Sequence, residues 1–167
     1  MNNTCTQDTF GQELFIIFYI YFLKINKMIE NSILDSQLCF SLYSVTNALT
    51  RQYRPLLKEL DLTYPQFVVL LALYDKDNIS LKELGEKTLF DSGTLTPLVQ
   101  KLEAKEFLNR VSIVEDERVK KVILTDKAKD LKEKIIDLPN QVRCSMQMSD
   151  EELTMLKQLS NNLLKDL

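Results

Sequence analysis

The sequence predicts a mainly α-helical chain with one small β-ribbon, on three observations. Apolar residues recur at helical spacing, as Leu38, Leu42, Val45, Leu49, Leu56 and Leu60 in one stretch and Leu95, Leu98, Val99 and Leu102 in another. Residues that cap helix N-termini stand at the head of such stretches, namely Thr63, Ser80, Thr125 and Ser149. Residues 108–125 alone switch to strand chemistry, with LNRVSIV and KKVILT bracketing Glu115-Asp116-Glu117-Arg118. At 167 residues, 45% apolar and 27% charged, the chain has material for one domain with an appendage.

The appendage comes first. Residues 14–23, LFIIFYIYFL, are a ten-residue apolar run, about half of what a helix needs to cross a bilayer, so no membrane span is expected. The first 13 residues hold Asp8 and Glu13 but no lysine or arginine, which argues against a secretory signal. Twelve of the 14 residues from 14 to 27 are Phe, Ile, Tyr, Asn or Lys, whose codons can consist of A and T alone. Two readings stand: a translated leader with the natural start at Met28, or an extra apolar helix over residues 10–27.

Ser32-Ile-Leu-Asp35 has capping-box spacing, with Asp in place of the usual Glu or Gln and either end able to cap, and the helix that follows runs toward Leu60, Pro55 allowing a kink or a break. A second helix follows over 62–78, where Thr63 caps, Pro65 suits the first turn and DKDN closes. Ser80 caps a short helix over 81–90. Asp91-Ser92-Gly93 is then a turn into a helix over 94–107 that buries Leu95, Leu98, Val99 and Leu102 and leaves Thr94, Thr96, Gln100, Lys101 and Lys105 outside. Two strands with a charged turn follow. Thr125 caps the next helix, which Pro139 interrupts, and Ser149-Asp-Glu-Glu152 opens the last.

Composition removes whole classes of chemistry. With no histidine there is no Ser-His-Asp triad, no Cys-His pair, no HExxH zinc site and no His-ligated haem. Cys5, Cys39 and Cys144 form no CxxC pair, so neither a metal nor a cofactor is expected and the chain is not read as an enzyme. Three cysteines without a secretory signature suit a reducing, cytoplasmic setting. A net charge of −3 excludes a generally basic nucleic-acid coat, though not a local patch.

Two helices joined by a turn, followed by a two-stranded ribbon, make a winged helix-turn-helix. Its second helix places short polar residues where base edges and phosphates are reached, with cations further along: Ser92, Thr94, Thr96, Gln100 and Lys101. Arg110 on the first strand joins this DNA-binding set. Asp116 and Arg118 belong to the wing, and Arg118 has the planar cation that a narrow minor groove attracts. Between Leu81 and Leu124 eight basic residues meet eight acidic ones, so binding depends on segregating charge by face. So weakly charged a unit gains from being doubled on a duplex operator with an inverted repeat. The expected organisation is an extension over 1–28, a dimerisation helix in 29–62, a DNA-binding domain over 63–125 and dimerisation helices in 126–167.

Several strings carry a family resemblance. Asp116-Glu117-Arg118, six residues before Leu124-Thr125, resembles the D-x-R…L-T wing signature of MarR-type winged-helix repressors. Gln37-Leu-Cys39-Phe-Ser-Leu-Tyr43, Leu62-Thr-Tyr64-Pro-Gln-Phe67 and Asp91-Ser-Gly-Thr-Leu-Thr-Pro97-Leu resemble the OhrR branch of that family. The resemblance extends from about residue 34 to the end. It implies a homodimeric repressor released from its operator when an organic hydroperoxide oxidises Cys39. It also implies that Tyr53 and Tyr64 hydrogen-bond to the reactive sulfur, that Tyr43 lies nearby, and that Cys144 resolves the oxidised thiol.

Physical chemistry supports Cys39 on its own terms. It falls within the first two turns of a helix, where the partial positive charge of the N-terminus favours the thiolate that attacks peroxide oxygen. Oxidation to sulfenic acid needs no histidine. Tyr53 comes 14 residues after Cys39, and at 1.5 Å per residue the two are about 21 Å apart if one helix holds both. A tyrosine–thiolate contact would then have to come from the partner chain. Two alternatives stay open: a ligand-responsive or one-cysteine MarR-type regulator, and, from another class, a thiol peroxidase with Cys39 as nucleophile and Cys144 as resolver.

Overall fold

The computed structural model describes residues 33–113 and 116–167, the side chains of residues 113–119 excepted. The extension over 1–28, the question of Met28, Cys5 and the cap at Ser32 lie outside the described residues. The described chain forms seven helices and a three-stranded antiparallel sheet, and it divides into two units at Leu49/Thr50.

In the first unit a turn precedes helix α1 (Leu38–Lys58). Helix was expected from a cap at either Ser32 or Asp35, and it starts at Leu38. The Ser36 hydroxyl donates to the Ile33 carbonyl at 2.8 Å and the Gln37 N–H to the Leu34 carbonyl at 3.1 Å, so local bonds compete with the helix until the Ser41 N–H reaches the Gln37 carbonyl. Within this unit Leu38, Leu42, Val45 and Leu49 recur along one stripe of α1, and all four are exposed.

The second unit begins inside α1, which continues through Pro55 without a break, one of the two outcomes that residue allowed. It ends where Leu60 and Leu62 both donate to the Leu57 carbonyl and Asp61 turns left-handed, at φ 52°. Helix α2 (Tyr64–Asp75) starts on Thr63, whose N–H donates to the Gln66 side chain at 3.0 Å; this cap explains the buried amide of Gln66. Phe67, Val69, Leu70 and Leu73 are all buried, so α2 forms the centre of the unit.

A short strand β1 (Ile79–Ser80), not foreseen from sequence, leads into α3 (Leu81–Thr88). Helix α4 follows over Ser92–Ala104. Its cap is Asp91, so Ser92 and Gly93, expected in a turn, lie in its first turn, and the helix ends at Ala104 instead of residue 107. Strands β2 (Leu108–Ile113) and β3 (Asp116–Leu124) complete the sheet in the order β1-β3-β2, with Ile79 opposite Val122 and Leu108 opposite Leu124. The ladder is irregular between Ser112 and Ile113, and β3 already begins at Asp116, inside the expected charged turn.

Thr125 caps α5 (Asp126–Asp130), accepting from the Ala128 N–H, while its own hydroxyl donates to the Glu106 carbonyl at 2.6 Å. The expected single helix breaks at Leu131, and α6 (Lys132–Arg143) carries Pro139 inside it. Ile135, Leu138 and Val142 are buried along that helix, and this packing on the rest of the unit outweighs the one bond that proline removes. The Tyr74 hydroxyl donates to the Ala128 carbonyl at 2.6 Å and joins α2 to α5; burial pushes its pKa up to about 12. Ala128 itself is 0% exposed. The last helix, α7 (Asp150–Asp166), starts on the Ser149/Glu152 capping box, buries none of its residues and exposes Met155, Leu156, Leu159 and Leu164. Among the described residues no helix is long and apolar enough to cross a membrane.

Candidate nucleic-acid interface and thiol site

The helix-turn-helix is built from strong local signals. Ser80 and Glu83 cap each other at the head of α3: the Ser80 hydroxyl accepts from the Glu83 N–H at 3.1 Å, and the Glu83 carboxylate accepts from the Ser80 N–H at 2.9 Å. The Ser80 N–H first, then Lys76 at 3.2 Å and the Ser80 hydroxyl at 3.0 Å, all donating to the carboxylate, bring the Glu83 pKa down to about 2. Leu89, left-handed at φ 57°, ends α3, and Asp91 opens α4 two residues later. The Asp91 carboxylate accepts from the Thr94 N–H at 2.9 Å and from the Thr94 hydroxyl at 2.7 Å, which holds its own pKa low.

Helix α4 turns Leu95, Val99 and Leu102 into the core, with Leu98 half-buried. Of the residues expected to meet DNA, Ser92, Thr94, Gln100 and Lys101 are exposed and Thr96 is half-buried. The Thr94 hydroxyl is committed to the cap, and Lys101 has no carboxylate within ion-pair reach among the described residues. Lys105 is drawn back instead, onto the carboxylate of Asp61 at 3.1 Å and its carbonyl.

Arg110 has a partner of its own. Its Nε donates to Glu103 at 2.8 Å and its backbone N–H to the same carboxylate at 3.1 Å, which ties the wing's first strand to α4 and lowers the Glu103 pKa. Sequence reasoning missed this pair; the available signal was an acid on the flank of α4 seven residues before a cation at the base of the ribbon. The side chains of Asp116 and Arg118 lie outside the described residues.

Among the described residues Cys39 and Cys144 are free and exposed. Cys39 is the second residue of α1, and Tyr43, one turn further and therefore on the same side, is 64% exposed. Cys144 closes α6, its N–H donating to the Asn140 carbonyl at 3.0 Å. In the second unit Tyr53, Tyr64 and Phe67 form one aromatic cluster, with centroid distances of 5.2, 5.4 and 5.8 Å. Burial, then the neighbouring Tyr64, raises the Tyr53 pKa above that of an ordinary phenol. The second unit thus brings Tyr53 and Tyr64 together, and the first places Cys39 beside Tyr43. Among the described residues no group of three or more acidic or cysteine side chains is arranged to hold a metal ion.

Comparison with known proteins gives consistent findings. A family model described as "Transcriptional regulator SarA/Rot" matches residues 51–135. The chain is 40% identical over 134 residues to the organic hydroperoxide resistance transcriptional regulator of Bacillus subtilis (strain 168), covering 80% of this chain and 91% of that one. Among solved structures, reduced AbfR bound to DNA is 30% identical with a TM-score of 0.68, over 79% of this chain and 93% of the other. Disulfide-formed AbfR is 28% identical with a TM-score of 0.59, over 83% and 98%.

Proposed function

The chain belongs to the winged-helix transcriptional regulators of the SarA/Rot and MarR type, and from that premise we propose that it is a homodimeric, cytoplasmic repressor that leaves its operator when an organic hydroperoxide oxidises Cys39. One observation carries the reading: a chain that offers a polar helix face for DNA also exposes a thiol in the first turn of α1. In this scheme residues 63–125 read DNA through Ser92, Thr96, Gln100, Lys101 and the wing, while 29–62 and 126–167 supply the dimer. The exposed apolar stripes of α1 and α7 support the second assignment, since such faces on a soluble chain are ordinarily covered by a partner.

The chemistry balances without a cofactor. The Cys39 thiolate takes one oxygen as the O–O bond breaks, leaving sulfenic acid and, after proton uptake, an alcohol. The Cys144 thiol of the second chain then displaces water to close a disulfide. In this reading the tyrosines that hydrogen-bond the thiolate, Tyr53 and Tyr64, come from the partner as well.

A gel shift with the DNA upstream of its own gene tests the whole. A retarded band that an organic hydroperoxide abolishes and a dithiol restores is expected. Release by a small aromatic ligand but not by peroxide would instead favour a ligand-responsive regulator, and repeated peroxide turnover with a dithiol would favour a peroxidase.

A further inference from the structure

Gly93 and Pro97 occupy the middle of the face that α4 turns to solvent. At about 100° per residue, Leu95, Leu98, Val99 and Leu102 centre on one direction, and residues 93 and 97 fall on the opposite one. Thr96 and Gln100 flank them on one side, Thr94 and Lys101 on the other; Gly93 and Pro97 are both exposed.

Proline inside a helix has no N–H to give to the carbonyl four residues back, and its ring pushes that carbonyl outward. In α4 that carbonyl belongs to Gly93. A main-chain oxygen without its i+4 helical donor therefore belongs to an exposed residue on this face, next to the exposed Pro97 ring. Residue 93 carries no side chain to cover it, and a Cβ there would come within 3.0 Å of the Asp91 carboxylate that caps the helix.

Resting on the DNA-reading role proposed above, we propose that the Gly93 carbonyl and the Pro97 ring together read one A·T pair in the major groove. The carbonyl accepts from the adenine N6 amino group, and the ring packs on the thymine methyl. An A·T pair presents an amino donor and a methyl together in that groove, whereas a G·C pair presents the cytosine amino group without a methyl. Proline supplies the apolar contact and, by withholding an N–H, keeps the oxygen available.

The test uses the full chain and its own upstream operator, with each adenine replaced in turn by purine, which lacks the amino group, and each thymine by uracil, which lacks the methyl. The wild type is expected to lose about fivefold in affinity for each analogue at a single shared base pair, the scale of one modest contact. In Pro97→Ala the restored N–H bonds to Gly93, so the variant should melt at a higher temperature yet lose its sensitivity to both analogues there. A purely structural role for Pro97 would raise stability and leave that sensitivity unchanged, and either this result or a wild type indifferent to both analogues at every position overturns the inference. A wild type that binds none of these duplexes, unmodified operator included, overturns the DNA-reading role itself and the inference with it.

Discussion

The ring of Tyr53 meets that of Tyr64 edge to face, with centroids 5.2 Å apart and planes at 64°. One residue comes from the end of α1 and the other opens α2, and Phe67 packs against both. The edge-to-face contact and the shared Phe67 hold the two phenol rings together in one aromatic cluster.

Tyr53→Phe and Tyr64→Phe should keep reduced operator affinity, because neither residue lies on α4 or the wing. Each should slow oxidation of Cys39 by about tenfold, the scale of one hydrogen bond to a charged sulfur. Stopped-flow oxidation of heterodimers localises the effect. If a chain carrying both Tyr→Phe changes protects its own Cys39 instead of its partner's, contact across the dimer is wrong.

The DNA cations should separate by their partners. Lys101→Ala should weaken binding to all sequences and lower the log–log salt slope by about one. Arg118→Ala should do so most for operators with A·T-rich flanks. Arg110→Ala should leave the salt slope unchanged, because Glu103 already neutralises that guanidinium, and should instead cost about 1 kcal/mol in denaturant unfolding. A salt slope that falls in Arg110→Ala would return Arg110 to the interface.

Treatment with about one equivalent of organic hydroperoxide per thiol should give a covalent dimer on a non-reducing gel through Cys39 and Cys144. Both Cys39→Ser and Cys144→Ser should abolish it. Wild-type protein that stops at sulfenic acid would leave sensing intact and remove Cys144 from it.

The Glu83 cap sets a pH dependence whose sign is fixed. Its pKa falls from 4.5 to about 2 on folding, so its stabilisation is complete above 4.5 and fades as the pH drops through about 2. Glu83→Gln should therefore flatten the loss of thermal stability across that window. Parallel melting curves for wild type and variant would show that the cap contributes nothing there.

Local signals were legible in the sequence. Thr63, Ser80, Thr125 and Ser149 each head the helix expected of them, because capping is settled within three residues. Strand β1 was not, since Ile79 and Ser80 become a strand only by pairing with Val122 and Lys121 far along the chain. Asp91-Ser92-Gly93 has the composition of a turn, yet the aspartate is the cap of α4. At the site, the exposed face of α4 followed from periodicity. The Tyr53–Tyr64 pair followed from resemblance alone, and the engagement of Arg110 by Glu103 was invisible because it depends on how the ribbon folds back on the helix.

The bond from Tyr74 reaches a main-chain oxygen, not a side chain. Every amino acid offers that oxygen, so substitution at position 128 leaves the chemistry of the contact untouched. The demands there are volume, because Ala128 is wholly enclosed, and a main-chain N–H for the Thr125 cap. Glycine there would keep the Tyr74 bond, while any larger residue would have to be matched by retreat of the surrounding core.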